Sequence, residues 1–175
     1  PSTDSESLAT IDAGTIVTVN GLVDGWYSVT CQYGTEGYIR SDLLVLTDNP
    51  SNSNGSSIVD IAMQHLGTRY VYGGSSAGGF DCSGYVCWVY NQNGYDVGRT
   101  TANGLWSKSQ HISEAEAKPG DLVFFEGTYD TPGKSHVGIY LGNGMMVSAG
   151  DPIKYANIHS SYWQKYLSGF GRLSK

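Results

Sequence analysis

Apolar and polar positions change their period partway along the chain, and the change divides it. Between residues 11 and 46 short apolar runs are separated by turn residues: Thr15-Ile16-Val17-Thr18-Val19, Trp26-Tyr27-Ser28-Val29 and Gly37-Tyr38-Ile39-Arg40, with Asn20-Gly21 and Asp24-Gly25 between them. This pattern predicts a small all-β unit. A unit of about forty residues stands at the lower limit of independent stability, so the sequence predicts a module that packs against the rest of the chain or, the preferred expectation, has lost an N-terminal strand. Residues 47–57 hold no apolar side chain and are rich in Ser, Asn, Gly and Pro, the composition of a linker. The expected organisation is therefore a β unit over 1–46, a linker over 47–57 and a second domain over 58–175.

In the second domain the period becomes helical. Ile58, Ile61, Ala62, His65 and Leu66 fall on one face, opened by a Ser57/Asp60 pair resembling a capping box and stopped at Gly67. A short strand is expected at 69–72, then a glycine-rich loop over 73–79. Val86, Val89 and Tyr90 predict a helix over 82–93, which Gly94 ends, so Cys82 stands at a helix N-terminus. Strand patterns follow at 121–126, 136–141 and 145–149. Helices first and an antiparallel sheet afterwards give an α+β class.

Composition narrows the function classes. The 175 residues carry 10 Lys+Arg against 16 Asp+Glu, a net charge of -6, and 12% are aromatic, which excludes a disordered chain. Ten scattered cations make no footprint for phosphate, so neither nucleic acid nor a membrane surface is an expected partner. No apolar run approaches a membrane span, and the first residues show no export signal. Cys31, Cys82 and Cys87 form no even disulfide framework, and no cluster has metal-ligand spacing; no metal or cofactor is expected.

A thiol becomes a good nucleophile when its pKa is depressed, and helix N-terminal amides do this through their partial positive charge. They can also donate to a developing oxyanion. Cys82 has that setting, against the alternative of a small buried hydrophobe; Cys87 and Cys31 read as packed. Among the histidines, His65 reads as core, and His111 and His159 as surface. His136 opens a strand on which His136, Gly138 and Tyr140 share one face and Val137, Ile139 and Leu141 the other. Gly138 is expected to leave room beside the imidazole for a substrate or a nucleophile.

The group that orients His136 depends on the next hairpin. A three-residue loop at Gly142-Asn143-Gly144 pairs Gly138 with Ser148 and nominates Ser148, while a two-residue Asn143-Gly144 turn shifts the pairing by one and nominates Asp151. A hydroxyl carries no charge to stabilise imidazolium, so a Ser148 triad is expected to be weaker than one with a carboxylate.

Several motifs occur together in one order: Tyr70-Val71-Tyr72-Gly73-Gly74, Asp81-Cys82-Ser83-Gly84, Arg99-Thr100, Pro119-Gly120-Asp121-Leu122-Val123-Phe124-Phe125 and His136-Val137-Gly138-Ile139-Tyr140-Leu141-Gly142. In these the chain from 58 to 173 resembles the NlpC family of papain-like cell-wall cysteine peptidases. The first domain, through Gly25-Trp26-Tyr27 and Gly37-Tyr38-Ile39, is similar to bacterial SH3-like wall-targeting barrels. The resemblance implies a papain-like fold, Cys82 as nucleophile, His136 as base, and as substrate-binding residues Asp81 and Ser83, lining the pocket that holds the free amino end of a stem peptide, and Tyr70, beside the reacting carbonyl. It further implies hydrolysis of the bond between D-γ-glutamate and the diamino acid of peptidoglycan, at a secreted or wall-associated location. Two positions depart from the family pattern. Ser148 stands where a second histidine is common, and Tyr72 stands where a tryptophan is usual.

Gly74-Ser75-Ser76-Ala77-Gly78 matches the serine-hydrolase spacing but lacks the helix that must follow it. Resolution of the acyl-enzyme by an amine would make a transferase on the same fold. The reading from outside enzymology is a peptidoglycan-binding protein with a degenerate triad.

Overall fold

The computed structural model describes residues 2–7, 11, 17–31, 36–44 and 54–175. The chain divides into two compact units, Pro1–Asn49 and Pro50–Lys175. Residues 47–53 of the predicted linker lie outside the described residues, as do residues 12–16 of the first expected strand and the side chain of Ser57, but residues 54–57 are helical, so the helix begins ahead of the expected start at Ser57 and inside the expected linker.

The first unit contains an antiparallel sheet in the order β1-β2-β3, with β1 at Thr18–Val23, β2 at Trp26–Thr30 and β3 at Glu36–Arg40. The expected turn at Asn20-Gly21 is not there: both residues lie within β1, where the pairing register shifts between Val19 and Gly21. The hairpin turns at Asp24-Gly25, whose φ values of 50° and 80° supply the two positive angles a tight hairpin needs. Val29 is buried while Tyr38 stays exposed.

In the second unit a six-stranded sheet runs in the order β10-β9-β8-β7-β11-β6. Its strands are β6 (Gln110–Ile112), β7 (Leu122–Glu126), β8 (Lys134–Gly142), β9 (Met145–Ala149), β10 (Ile153–Asn157) and β11 (Leu167–Arg172), all paired antiparallel. Three helices precede most of it: α1 (Asn54–Met63), α2 (Cys82–Gln92) and α3 (Ala102–Lys108). A fourth, α4 (Ser161–Tyr166), comes between β10 and β11. This is the predicted α+β class, with α3, α4, β6, β10 and β11 added to the elements read from the sequence.

Alternation along the strands splits the apolar side chains into two cores, one on each face of the sheet. Val137, Ile139 and Leu141 of β8 and Leu122 and Phe124 of β7 pack with Ile58, Tyr85, Val86, Val89 and Leu105 of α1–α3. Tyr140, Val123, Phe125, Met146 and Phe170 face the other way, toward Ile158 and Trp163. Segment 69–72 is not a strand; it makes one parallel bridge, Tyr70 to Phe80, beside a two-residue-strand hairpin of β4 (Ser75–Ser76) and β5 (Gly79–Phe80). Its polar backbone is tied locally instead, with Val71 N donating to Phe80 O at 3.0 Å and Asp81 N to Gly74 O at 3.0 Å.

Candidate active site

Asp81 caps α2. Its backbone is extended (φ -89°, ψ 176°) and its Oδ1 accepts from the Gly84 amide at 2.6 Å, satisfying one of the orphan donors of the first turn. Cys82 is consequently the first residue of the helix. The start of α2 lies tight against the 70–74 loop: a Cβ on Gly84 would stand 2.0 Å from the Gly74 carbonyl oxygen, so only glycine fits there.

Amides do converge on the thiol. The backbone N–H groups of Val137, Ser83 and Cys82 act to lower the pKa of the thiol. Burial and the charge of Asp81 outweigh them and push the thiol up to about 11. The expectation of a depressed thiol in the free protein is thereby corrected: the helix terminus is present, but the site is dry and has a carboxylate beside it. That Val137 amide belongs to the peptide unit that joins His136 to Val137.

His136, Gly138 and Tyr140 share a face as predicted, and it is the face turned away from α1–α3, since Tyr140 packs there and Val137 and Ile139 pack on the helix side. The imidazole stacks on Trp163 (centroids 5.1 Å apart, planes at 29°) and leans on its cross-strand partner Phe125 (5.9 Å, 50°). Burial lowers its pKa to about 4. Its Nε2 is buried and has no hydrogen-bond partner.

The hairpin after β8 decides between the two nominated orienting groups. Ile139 pairs with Val147 and Tyr140 with Met146, so Gly138 faces Ser148, in the first of the two registers expected. The loop itself is not the three-residue one expected with that register: Gly142 pairs with Met145 across a two-residue Asn143-Gly144 turn, with φ values of 49° and 73°, and a bulge that passes over Leu141 restores the pairing of Gly138 with Ser148. Asp151 lies beyond the end of β9, outside the ladder. Ser148 is buried on the His136 face as a diagonal neighbour, about 7–8 Å away between backbones, and it makes no hydrogen bond to the imidazole Nε2. Nor is the space beside Gly138 open: a Cβ there would meet Met146 Sδ at 2.8 Å and Ser148 Cβ at 3.2 Å.

Of the residues expected to bind substrate, Asp81 and Ser83 are buried and already engaged. Asp81 Oδ2 accepts from Arg99 Nη2 at 2.5 Å, and Ser83 Oγ lies 3.1 Å from Asp81 Oδ1 and 3.0 Å from Arg99 Nη1. Tyr70 is more exposed, at 38% of its surface; burial raises its phenol to about 12, with the neighbouring Cys82 thiol adding to the rise. Arg99 was visible in the sequence only as part of a motif, and its role as partner of Asp81 was missed. Trp163 was missed entirely, although Tyr162-Trp163 and Tyr166 in a polar segment were a signal that could have been read.

The remaining histidines and cysteines are accounted for by packing or surface pairs. His65, expected as a core residue, is only half-buried and lies edge-on to Phe80 and Trp88, His111 stacks on Trp106 and His159 pairs with Glu114 at 2.6 Å. Cys87 is buried in mid-helix, and Cys31 is half-buried in the first unit.

Three helices, α1–α3, on one side of an antiparallel sheet, with a cysteine opening the helix that packs on its central strand, define a papain-like α+β domain. The chain belongs to the NlpC/P60 family, whose model matches residues 67–172, and a bacterial SH3 domain model matches residues 1–45. It is 50% identical over 117 residues to the probable endopeptidase p60 of Listeria monocytogenes, an alignment covering 66% of this chain and 23% of that protein. It is 38% identical over 159 residues to the bifunctional muramidase/DL-endopeptidase CwlT of Bacillus subtilis, covering 85% of this chain and 47% of that one. Among solved structures, an NLP/P60-family protein of Staphylococcus aureus, described as similar to lipoprotein, superposes with a TM-score of 0.67 at 38% identity, over 77% of this chain and 47% of the other. The chain thus spans under half the length of the curated relatives named here.

Proposed function

We propose that the protein is a cysteine endopeptidase of peptidoglycan, acting at the wall on the bond between D-γ-glutamate and the diamino acid of stem peptides. The observation that carries this reading is the Cys82 thiol on the first turn of α2, with amides of Cys82, Ser83 and Val137 aimed at it and His136 adjoining the last of these. The DL-endopeptidase named among the relatives supports the choice of bond.

In this reading the free protein holds a neutral thiol and a neutral imidazole. His136 takes the thiol proton as Sγ attacks the γ-carbonyl carbon, and helix N-terminal amides donate to the oxygen that gains the negative charge. The amine of the diamino acid leaves with the proton held by His136, giving a thioester. Water, deprotonated by the same imidazole, releases the acid and restores the thiol. Asp81, Ser83 and Tyr70 line the approach, with Asp81 and Ser83 organised by Arg99.

The test is mass-spectrometric digestion of purified muropeptides by the protein and by Cys82→Ala. Cleavage at the named bond by the unaltered chain alone is expected. The partnerless Nε2 of His136 favours one other reading, a wall-binding protein without turnover. Retained muropeptide binding with no cleavage by either protein would establish that instead.

A further inference from the structure

The catalytic reading above needs a group that holds the His136 ring in one orientation and supports it when it becomes charged. A polar third residue usually acts through the outer ring nitrogen, yet here Nε2 is buried without a partner. Ser148, a polar side chain that the ladder places on this face, is a diagonal neighbour that makes no hydrogen bond to Nε2. Among the described residues no charged side chain contributes to the ring's shift either. Burial alone accounts for its lowered pKa, and the nearest charged residues along the strands, Lys134 and Glu126, are paired with each other at 3.1 Å.

What does touch the ring is aromatic. Trp163 lies nearly parallel to it, 5.1 Å between centroids and 29° between planes, and Trp163 is itself braced by Phe125 (4.5 Å, 53°) and Tyr162 (5.0 Å, 85°). Phe125 is also the cross-strand partner of His136, so the brace and the braced ring hang from one rung of the β7–β8 ladder. We infer that Trp163 is the positioning residue for His136, acting through the face of its indole in the place a hydrogen-bonding third residue would take. The stack fixes the ring plane, and with Nε2 shut in, Nδ1 is the nitrogen left to receive the thiol proton. An indole face also attracts the imidazolium that this transfer creates, an interaction that gains strength where water is excluded.

The inference rests on His136 being the base, and the experiment separates the two. In the full chain, Trp163→Phe and Trp163→Met are compared with Ser148→Ala and His136→Ala, all checked for folding by circular dichroism. Kinetics are read on purified muropeptides, and the tautomer and titration of His136 by NMR of labelled imidazole. Trp163→Phe keeps a π face and is expected to retain most of kcat. Trp163→Met keeps apolar bulk only and is expected to lose about ten- to thirtyfold in kcat with KM little changed, the range a desolvated cation–π contact carries. Its His136 should show a mixed tautomer, and Ser148→Ala should cost less than Trp163→Met. Equal activity and equal His136 spectra for the Phe and Met variants, or a larger loss for Ser148→Ala, would overturn the inference. Full activity of His136→Ala would instead remove the base assignment, while the NMR comparison would still decide whether Trp163 sets the ring.

Discussion

Asp81 and Arg99 form an ion pair, 2.5 Å between Oδ2 and Nη2, on the residue that immediately precedes Cys82. The pair fixes the helix cap and sets the charge felt by the thiol, because the Asp81 carboxylate is one of the two influences that raise it. Asp81→Asn keeps a capping oxygen while removing that charge, so the pH profile of Cys82 alkylation is expected to move to lower pH. Arg99→Ala leaves the carboxylate uncompensated and is expected to move it higher. Iodoacetamide labelling followed by mass spectrometry reads both, and shifts in the same direction would contradict the electrostatic account.

The unaltered free protein should label slowly at neutral pH. With the Cys82 thiol pushed up to about 11, its alkylation rate is expected to keep climbing beyond pH 9, about tenfold per pH unit, since only the thiolate reacts. A plateau below pH 8 would show a preformed thiolate and overturn the neutral resting pair.

Stability should fall on both sides of neutrality. An unfolded histidine takes its proton near 6.5, whereas His136 takes one only near 4, so between these values the unfolded chain binds more protons and acid favours unfolding. On the alkaline side the unfolded thiol ionises near 9.0 and Cys82 near 11, so the unfolded chain loses protons first and stability falls as pH rises through that window. Melting temperatures across pH test this. His136→Gln should flatten the acid limb, and Cys82→Ala the alkaline one.

Arg172 reaches Asp121, buried at the start of β7, with Nε to Oδ1 at 2.8 Å and Nη2 to Oδ2 at 2.7 Å. Arg172→Ala strands that carboxylate with the Lys118 amide as its remaining donor among the described contacts. The expected cost is about 3 kcal/mol, read by urea unfolding, with Arg172→Lys recovering part of it.

Much of the site was legible in local pattern. The helical spacing of Val86, Val89 and Tyr90 with Asp81 before it placed Cys82 on a first turn, and α2 begins there. Two-residue alternation put His136, Gly138 and Tyr140 on one face, and the structure agrees. The turns were less legible. Asn20-Gly21 has the composition of a hairpin turn yet lies within a strand, because Asp24-Gly25 offers a second such pair and the ladder between β1 and β2 selects it. The strand expected at 69–72 reduces to one bridge, Tyr70 to Phe80, and its apolar residues Tyr70 and Val71 remain exposed rather than packed as a strand's would be.

The order of residues determined the cap on α2, the alternation of β8, the α+β class and the family, since each depends on neighbours within a few positions or on motifs in fixed order. Tertiary structure decided the rest. Whether a helix-terminal thiol is acidic depends on how much water and which charges packing leaves around it, and here burial and Asp81 prevail over the amides. Which side chain holds His136 depends on a register set by a bulge at Leu141 and on a helix 27 positions further along, whose Trp163 reaches the imidazole only because the sheet has two faces and α4 covers the one that the earlier helices leave free.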